Sequence, residues 1–373
     1  MKKLLLIVFS LHIFSSSFAM EESREESLNF RVMTYNICNS FQIYNNQHFK
    51  EKLACSKRLP RIINLIKDEN PDIICLQEVR DIEKNFSTFG YLSYHLGILG
   101  YDLTHFRDNP SLFSFINLIA YKRTTFFLHN TYRWWASNTP EKCSETADNP
   151  WPKVIIMATL YPLLTKCIEN KQVPLPDHKK LPIYVVNLHN STKHKERMFS
   201  NNLLIKKINK YISNRDGLVI IAGDFNSFFT NGYGEKELAI LEKNNYKDAL
   251  NNLKTKNGVS VSGTFIGYSL DPYKCSTEKF GDPLDHVFIK NVSPKKQSYT
   301  TICHVNAKKY NNKYDKSFAE TEKNLLTGMW GEPIHNEFPS DHLPGIVDIT
   351  ITKHDTAMKK QEKNNNNTIK TYN

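Results

Sequence analysis

The stretch Leu218-Val219-Ile220-Ile221-Ala222-Gly223-Asp224-Phe225-Asn226 decides how this chain is read. Its unbroken apolar run predicts a strand buried on both faces. Gly223 stops the run, and Asp224 and Asn226 then put a carboxylate and an amide at the strand exit. Other apolar segments stop in the same way. Asn36 follows Phe30-Arg31-Val32-Met33-Thr34-Tyr35, which alternates like a strand, and Glu78 follows Ile74-Cys75-Leu76-Gln77. His189 follows Val185-Val186-Asn187-Leu188. Asp285 and His286 precede Val287-Phe288-Ile289, and Asp341 and His342 precede Leu343-Pro344-Gly345. Singly, each has a bland reading: Asp-Phe-Asn after a strand is usually a turn, and an isolated His is more often a satisfied structural group. Together, at strand edges, they describe a polar rim on a sheet scaffold.

The remaining pattern sets the fold class. Leu59, Ile62, Ile63 and Ile66 recur at helical spacing, with Ser56 as a possible cap, so a helix from Ser56 to Lys67 is expected. A second, from Glu196 to Ile212, presents Leu203, Leu204, Ile208 and Ile212. Strands are expected near Ile116–Tyr121, Tyr132–Trp135, Val154–Tyr161, Ile183–Leu188 and Gly345–Ile351. Strands dominate from Ile116 to Leu188, so regular βαβ alternation fails. Runs of strands with a few helices outside them give an α+β fold with two stacked sheets.

With 373 residues, 40% of them hydrophobic and 12% aromatic, the chain can bury a core, which excludes whole-chain disorder. No apolar stretch of about 20 residues occurs, which excludes an ordinary polytopic membrane protein. Met1-Lys2-Lys3, the apolar run from Leu4 to Phe14 and the small residues before Ala19 form a signal-peptide pattern over residues 1–19. Export to a periplasmic or extracellular location is therefore expected. Residues 353–373 are rich in Lys and Asn and almost free of apolar side chains, which reads as a disordered tail. One domain over residues 20–352 remains. The formal charge of +11 falls to +6 for that body, a balance that suits a phosphate-bearing substrate. Seven cysteines without a CxxC pair argue against a zinc ribbon. Cys75 reads as a buried thiol, and Cys143 with Cys167 and Cys275 with Cys303 are candidate bridges.

The rim chemistry points to phosphate. Glu78, Asp341 and the Asn36 amide are oxygen donors, which favour Mg²⁺ or Mn²⁺ over zinc. Such an ion neutralises phosphoryl oxygens. A carboxylate with no metal to hold can take a proton from water, and two imidazoles can donate to a phosphorane-like state.

The ordered set Met33-Thr34-Tyr35-Asn36, Leu76-Gln77-Glu78-Val79, Asn187-Leu188-His189, Gly223-Asp224-Phe225-Asn226, Leu284-Asp285-His286-Val287-Phe288 and Ser340-Asp341-His342-Leu343-Pro344 resembles the endonuclease/exonuclease/phosphatase superfamily. That superfamily includes deoxyribonucleases, AP endonucleases, neutral sphingomyelinases, inositol polyphosphate phosphatases and deadenylases. The segments span Phe30 to about Thr350. Trp135–Pro140 and Gly263–Tyr268 resemble stretches of one bacterial branch, although Trp134-Trp135 is more simply sheet packing. The resemblance implies a four-layer α/β/β/α sandwich with two stacked, mainly antiparallel sheets. It implies Glu78 as principal metal ligand, helped by Asn36 and Asp341. Asp224 would position or deprotonate the attacking water, and Asn226 would orient that water and bind phosphate. His189 and His342 would hydrogen-bond the scissile phosphate, with Asp285 paired to His342. Two departures stand out. No carboxylate is evident behind His189, with Asn117 in the right region, and the core fold does not need the insertion from Pro162 to Pro182.

The substrate expected first is a nucleic acid. Lys193-His194-Lys195-Glu196-Arg197, just after His189, could meet backbone phosphates or be a solvated helix start. The alternative is a membrane lipid head group, as for a sphingomyelinase or a phosphoinositide phosphatase, with Ser111–Phe115 and Ser227-Phe228-Phe229 as candidate surface loops. No obligate protein partner is evident.

Overall fold

A computed structural model describes residues 27–38, 55–80, 87–104, 115–144, 152–168, 171–177, 181–212, 217–227, 234–250, 284–292, 299–303, 340, 342 and 344–352. Residues 1–19, the tail from 353, Asp341, the segment 263–268 and the candidate lipid-facing residues 111–114 and 228–229 lie outside the described residues. The strands are β1 (Ser27–Asn36), β2 (Ile73–Arg80), β3 (Tyr101–Thr104), β4 (Phe115–Lys122), β5 (Phe126–Trp135), β6 (Val154–Ile168) and β7 (Lys171–Pro176). They continue as β8 (Ile183–His189), β9 (Gly217–Asp224), β10 (Lys247–Asp248), β11 (Asp285–Val292), β12 (Tyr299–Cys303) and β13 (Gly345–Thr352). The helices are α1 (Cys55–Glu69), α2 (Thr88–Ile98), α3 (His194–Tyr211) and α4 (Gly234–Lys243).

One sheet runs β12-β13-β1-β2-β4-β3 and the other β10-β11-β9-β8-β6-β5, with β7 paired to β6. Strands β1–β2 and β8–β9 are parallel, and the other pairs are antiparallel. Side chains alternate along each strand, so a strand covered on both sides feeds two cores. In β9, Leu218, Ile220 and Ala222 join Val32, Cys75, Ile156 and Val185 between the sheets. Val219 and Ile221 point the other way, onto Leu204 and Ile208 of α3 and Leu238 and Leu241 of α4. On the first sheet, Met33, Ile74 and Leu76 meet Leu59, Ile62 and Ile66 of α1 and Phe89 and Leu92 of α2. Three cores separated by two sheets make the four-layer α/β/β/α sandwich. The buried Trp134 belongs to the α3-side core, so its role is packing.

Several elements differ from expectation. Helix α2, TFGYLSYHLGI, carries no acid or Lys/Arg and two glycines, so no polar stripe marks it as amphipathic. The insertion at 162–182 extends β6 and returns as β7, a hairpin off the end of the second sheet. This hairpin also removes one candidate disulfide. Cys143 is an exposed thiol on the loop after Trp135, which pairs with Val154, whereas Cys167 lies opposite Gln172 in the hairpin. At about 3.3 Å per residue the two ends of β6 are roughly 40 Å apart. Cys75 is a buried thiol, as read. The Cys275–Cys303 pair lies outside the described side chains.

One irregularity sets up the site. The β2–β4 register slips between Leu76↔Leu118 and Val79↔Ile116, so Gln77 and Glu78 together face Asn117. Glu78 has φ 61°, a left-handed conformation that turns its side chain out of the strand's alternation. A bulge strands backbone groups, and here a side chain from the other sheet meets them. The Asn187 amide donates to Leu76 O and Leu118 O, both at 2.9 Å, and accepts from Gln77 Nε2 at 2.8 Å. Asn187→Leu leaves these buried acceptors unmet. It should lower unfolding free energy by about 2–4 kcal/mol in urea titrations, and wild-type stability would show that the amide does not hold the bulge.

Candidate active site

Strand direction gathers the polar residues. In parallel β1–β2, Asn36 lies beside Gln77, next to Glu78. In parallel β8–β9, His189 lies beside Asp224. Antiparallel β11 starts where β9 ends, which puts Asp285 on the other side of Asp224. Antiparallel β13 starts opposite the end of β1, Gly345 against Thr34, so His342 arrives at the same rim. Ser340 fastens that arrival, its hydroxyl donating to Asn36 O at 2.6 Å. Gly223 allows the close approach of β8 and β9. A Cβ there would lie 2.1 Å from Leu188 O.

The side chains converge on Asp224, which is buried. Asn36 Nδ2 donates to Asp224 Oδ2 at 2.9 Å and to Glu78 Oε1 at 3.3 Å. His189 Nε2 is 3.6 Å from Asp224 Oδ2 and 4.0 Å from Glu78 Oε1. From the other side, His342 Nε2 is 3.9 Å from Asp224 Oδ2, while its Nδ1 is 2.8 Å from Asp285 Oδ2. The Asp285 carboxylate accepts from Nδ1–H and so turns Nε2 toward Asp224. Asn226, at φ 50°, donates its backbone N–H to Asp224 Oδ1 at 2.8 Å and its side-chain amide to Asn190 O at 2.9 Å. Asp341, expected as a ligand, lies outside the described residues.

Two placements depart from the sequence reading. Asn36 meets the carboxylates through its NH₂, because its Oδ1 accepts from Cys38 N–H at 2.9 Å. The amide therefore bridges the acids, while its oxygen, expected as a metal ligand, is turned to the backbone of Cys38. Asn117 does not back His189. Its amide donates to Val154 O at 2.7 Å, and His189 Nδ1 is buried without a hydrogen bond. A bare Nδ1 fits the tautomer with its proton on Nε2, facing Glu78 and Asp224.

Burial governs the electrostatics. It raises the Asp224 carboxyl to about 7, reinforced by Asp285 and opposed by His342, Asn36 and the Asn226 N–H. Burial holds His189 well below its ordinary value, with Lys153 and His342 adding to the effect, so the ring is neutral. Burial would also lower His286, but Asp248 at 2.6 Å, the Ser227 backbone and Asp285 outweigh it and raise the ring. Lys153 escaped the sequence reading. It is half-buried just before β6, its ammonium lowered by burial while Glu78, Asp224 and Glu196 pull the other way. Its only sequence signal is a lone cation before an apolar run, next to Pro152.

Among the described residues, Asp224, Asp285 and His342 offer ligand atoms within 4.8 Å of one another. Glu78 adds a carboxylate on the other side of Asn36. Clustered buried oxygens with one imidazole fit a hard divalent cation, which would relieve their mutual repulsion. Without metal, an Asp224 carboxyl raised from 3.8 to about 7 favours folding fully below the lower value and loses that contribution as pH rises through the upper one. The melting temperature in EDTA should therefore fall from pH 5 to pH 8 more steeply than in Asp224→Asn, and Mg²⁺ should restore more at pH 8. Parallel slopes for the two proteins would count against a raised Asp224.

Known proteins share this architecture. The model of the Endonuclease/Exonuclease/phosphatase family matches residues 33–342. Protein angel homolog 2 of Mus musculus is 33% identical over 81 residues, which cover 19% of this chain and only 15% of that protein. A structure of ANGEL2, a 2′,3′-cyclic phosphatase, aligns at TM-score 0.56 and 15% identity over 87% of this chain and 96% of that one. Uncharacterized protein L388 of Acanthamoeba polyphaga mimivirus is 26% identical over 267 residues, 70% of this chain and 88% of its own. An endonuclease/exonuclease/phosphatase family protein from Bacteroides thetaiotaomicron has the same fold, with TM-score 0.57 and 19% identity over 89% of this chain and 98% of that one. Enzymes of this family are hydrolases of phosphoester bonds and generally use divalent metals. With most of its length matched and both sheets in place, this chain belongs to the Endonuclease/Exonuclease/phosphatase family.

Proposed function

We propose that this chain is a Mg²⁺- or Mn²⁺-dependent phosphodiesterase whose substrate is a nucleic acid. The observation that carries the reading is a buried carboxylate, Asp224, with two imidazole Nε2 atoms at 3.6 and 3.9 Å on either side of it. Hydrolysis of a phosphodiester needs a base for water and donors for the phosphoryl oxygens, and this trio supplies both. Held by the Glu78 carboxylate beside this trio, the cation would neutralise phosphoryl charge and steady the leaving oxygen.

The chain's own residues do the rest. Asp224, near 7, exchanges a proton close to neutral pH, which suits a general base. His189 is neutral with its proton on Nε2, so it donates to a phosphoryl oxygen without carrying charge into the site. His342, whose Nδ1–H is held by Asp285, donates from Nε2 on the opposite side as the imidazolium. Asn36 holds Glu78 and Asp224 together and keeps the two acids from turning apart.

Charge favours nucleic acid as substrate. The body carries +6, and the Lys153 ammonium makes no hydrogen bond or ion pair among the described residues, so a phosphate can take it. The basic run at 193–197 contributes less than its sequence suggests. Arg197 is buried against Glu237 at 2.6 Å, and Glu196 is buried too, which leaves Lys193 and Lys195 for solvent and substrate. The activity named for ANGEL2, on a 2′,3′-cyclic phosphate, fits the same substrate class. We place the action outside the cytosol, on the signal-peptide pattern of residues 1–19.

EDTA should abolish hydrolysis, with Mg²⁺ or Mn²⁺ restoring it, and His342→Ala should lower kcat by about 10²–10⁴-fold. The deciding assay is a panel of double- and single-stranded DNA, RNA, RNA ending in a 2′,3′-cyclic phosphate, sphingomyelin and phosphoinositides. Affinity for the cleaved nucleic acid should drop roughly tenfold from 50 to 200 mM salt for every two phosphates contacted. Turnover of the lipids alone would replace the nuclease reading with the lipid one.

A further inference from the structure

Behind the rim lies a buried polar cluster that the proposed chemistry does not use. Glu237 of α4 takes the Arg197 guanidinium of α3 on Oε2 at 2.6 Å. The same oxygen accepts from the Ser227 hydroxyl at 2.5 Å, one residue beyond Asn226. Arg197 also donates from Nη1 to Thr192 O at 2.6 Å and to Ser191 O at 3.3 Å, in the loop that follows His189. The two loops also touch directly, since Asn190 N–H donates to Asp224 O at 2.8 Å. Arg197, Ser227 and Glu237 are all buried, Ser227 and Glu237 completely.

A buried ion pair is weak evidence for stability, because desolvation offsets its attraction. This one has a geometric consequence instead. Each partner also grips one of two catalytic loops. Arg197 holds the exit of β8, and Glu237, through Ser227, holds the exit of β9. Two helices packed outside the sheet thus set the distance between an imidazole and a carboxylate inside the site.

We propose that Arg197 and Glu237, acting through Ser227, are positioning residues that fix His189 relative to Asp224. The proposal rests on the phosphoesterase reading for its catalytic readout, and on backbone exchange for one independent of it. Ser227→Ala is the cleanest probe. It unties the β9 exit yet leaves Glu237 Oε2 satisfied by Arg197. Arg197→Lys is the second, because an ammonium can pair with Glu237 but lacks the fork that reaches the two carbonyls.

In each variant kcat should fall at least about tenfold while KM stays within about twofold, since misplacement of catalytic groups weakens the transition state and spares substrate binding. Amide exchange in peptides covering 187–192 and 222–227 should quicken about tenfold, with peptides of α3 and α4 unchanged. Glu141→Gln, which loosens the Lys207 tie on the same helix, should leave both readouts at wild-type values. Wild-type kcat in Ser227→Ala, or exchange that quickens equally across the whole chain, overturns the proposal. Should the wild-type protein hydrolyse no phosphodiester, the reading of function fails, and the exchange pattern alone still decides whether the clasp holds the two loops.

Discussion

The site depends on a bulge that one sheet could not sustain alone. Glu78 reaches the rim because β2 carries an extra residue opposite Asn117 and turns left-handed. In a dry interior that distortion would strand carbonyls at a cost of about 1–3 kcal/mol each. Asn187, from the facing sheet, meets two of them and takes a bond from Gln77. The amide therefore acts on three levels. It satisfies the irregular backbone, sets the spacing of the sheets at the rim, and sits two residues before His189.

The same economy appears at the exits of the other strands. Arg58 of α1 is buried and donates to Ile37 O at 2.7 Å and Cys38 O at 2.5 Å, just past Asn36. Arg197 of α3 does the equivalent for the chain just past His189. A guanidinium can bind several carbonyls at once from a rigid fork, which a lysine cannot. Outer helices thus act on the chemistry without touching it. The centre they hold is electrostatically tense: Asp224 and Asp285 share a buried volume with two histidines, and the proton on Asp224 is retained up to about 7. Sites of this kind trade stability for reactivity.

Much of this was legible from the chain. The apolar run before Gly223-Asp224 announced a doubly covered strand, and β9 is buried along its whole length. Strand-end polar residues announced a rim, and Asn36, Glu78, His189, Asp224, Asp285 and His342 lie together on it. Other features left no readable trace. Helix α2 has no polar face to mark it, and Lys153 is one unremarkable cation. Arg197 looked like part of a solvated basic run because its partner, Glu237, lies 40 positions away. Cys143 and Cys167, a candidate bridge in the sequence, are separated by the unexpected length of β6.

Local physics explains where the boundary falls. The sequence by itself determined the strands, their burial, the residues waiting at their ends and, through the ordered motifs, the family. Each of these is written within a short window, as periodicity, a glycine stop or a neighbouring pair. Only the tertiary structure decided which way the Asn36 amide faces, that Asn117 does not back His189, that Glu78 bulges and that Arg197 turns inward. These depend on groups brought together by strand order across the whole chain, and hydrogen bonding in a dry interior is settled by neighbours in space.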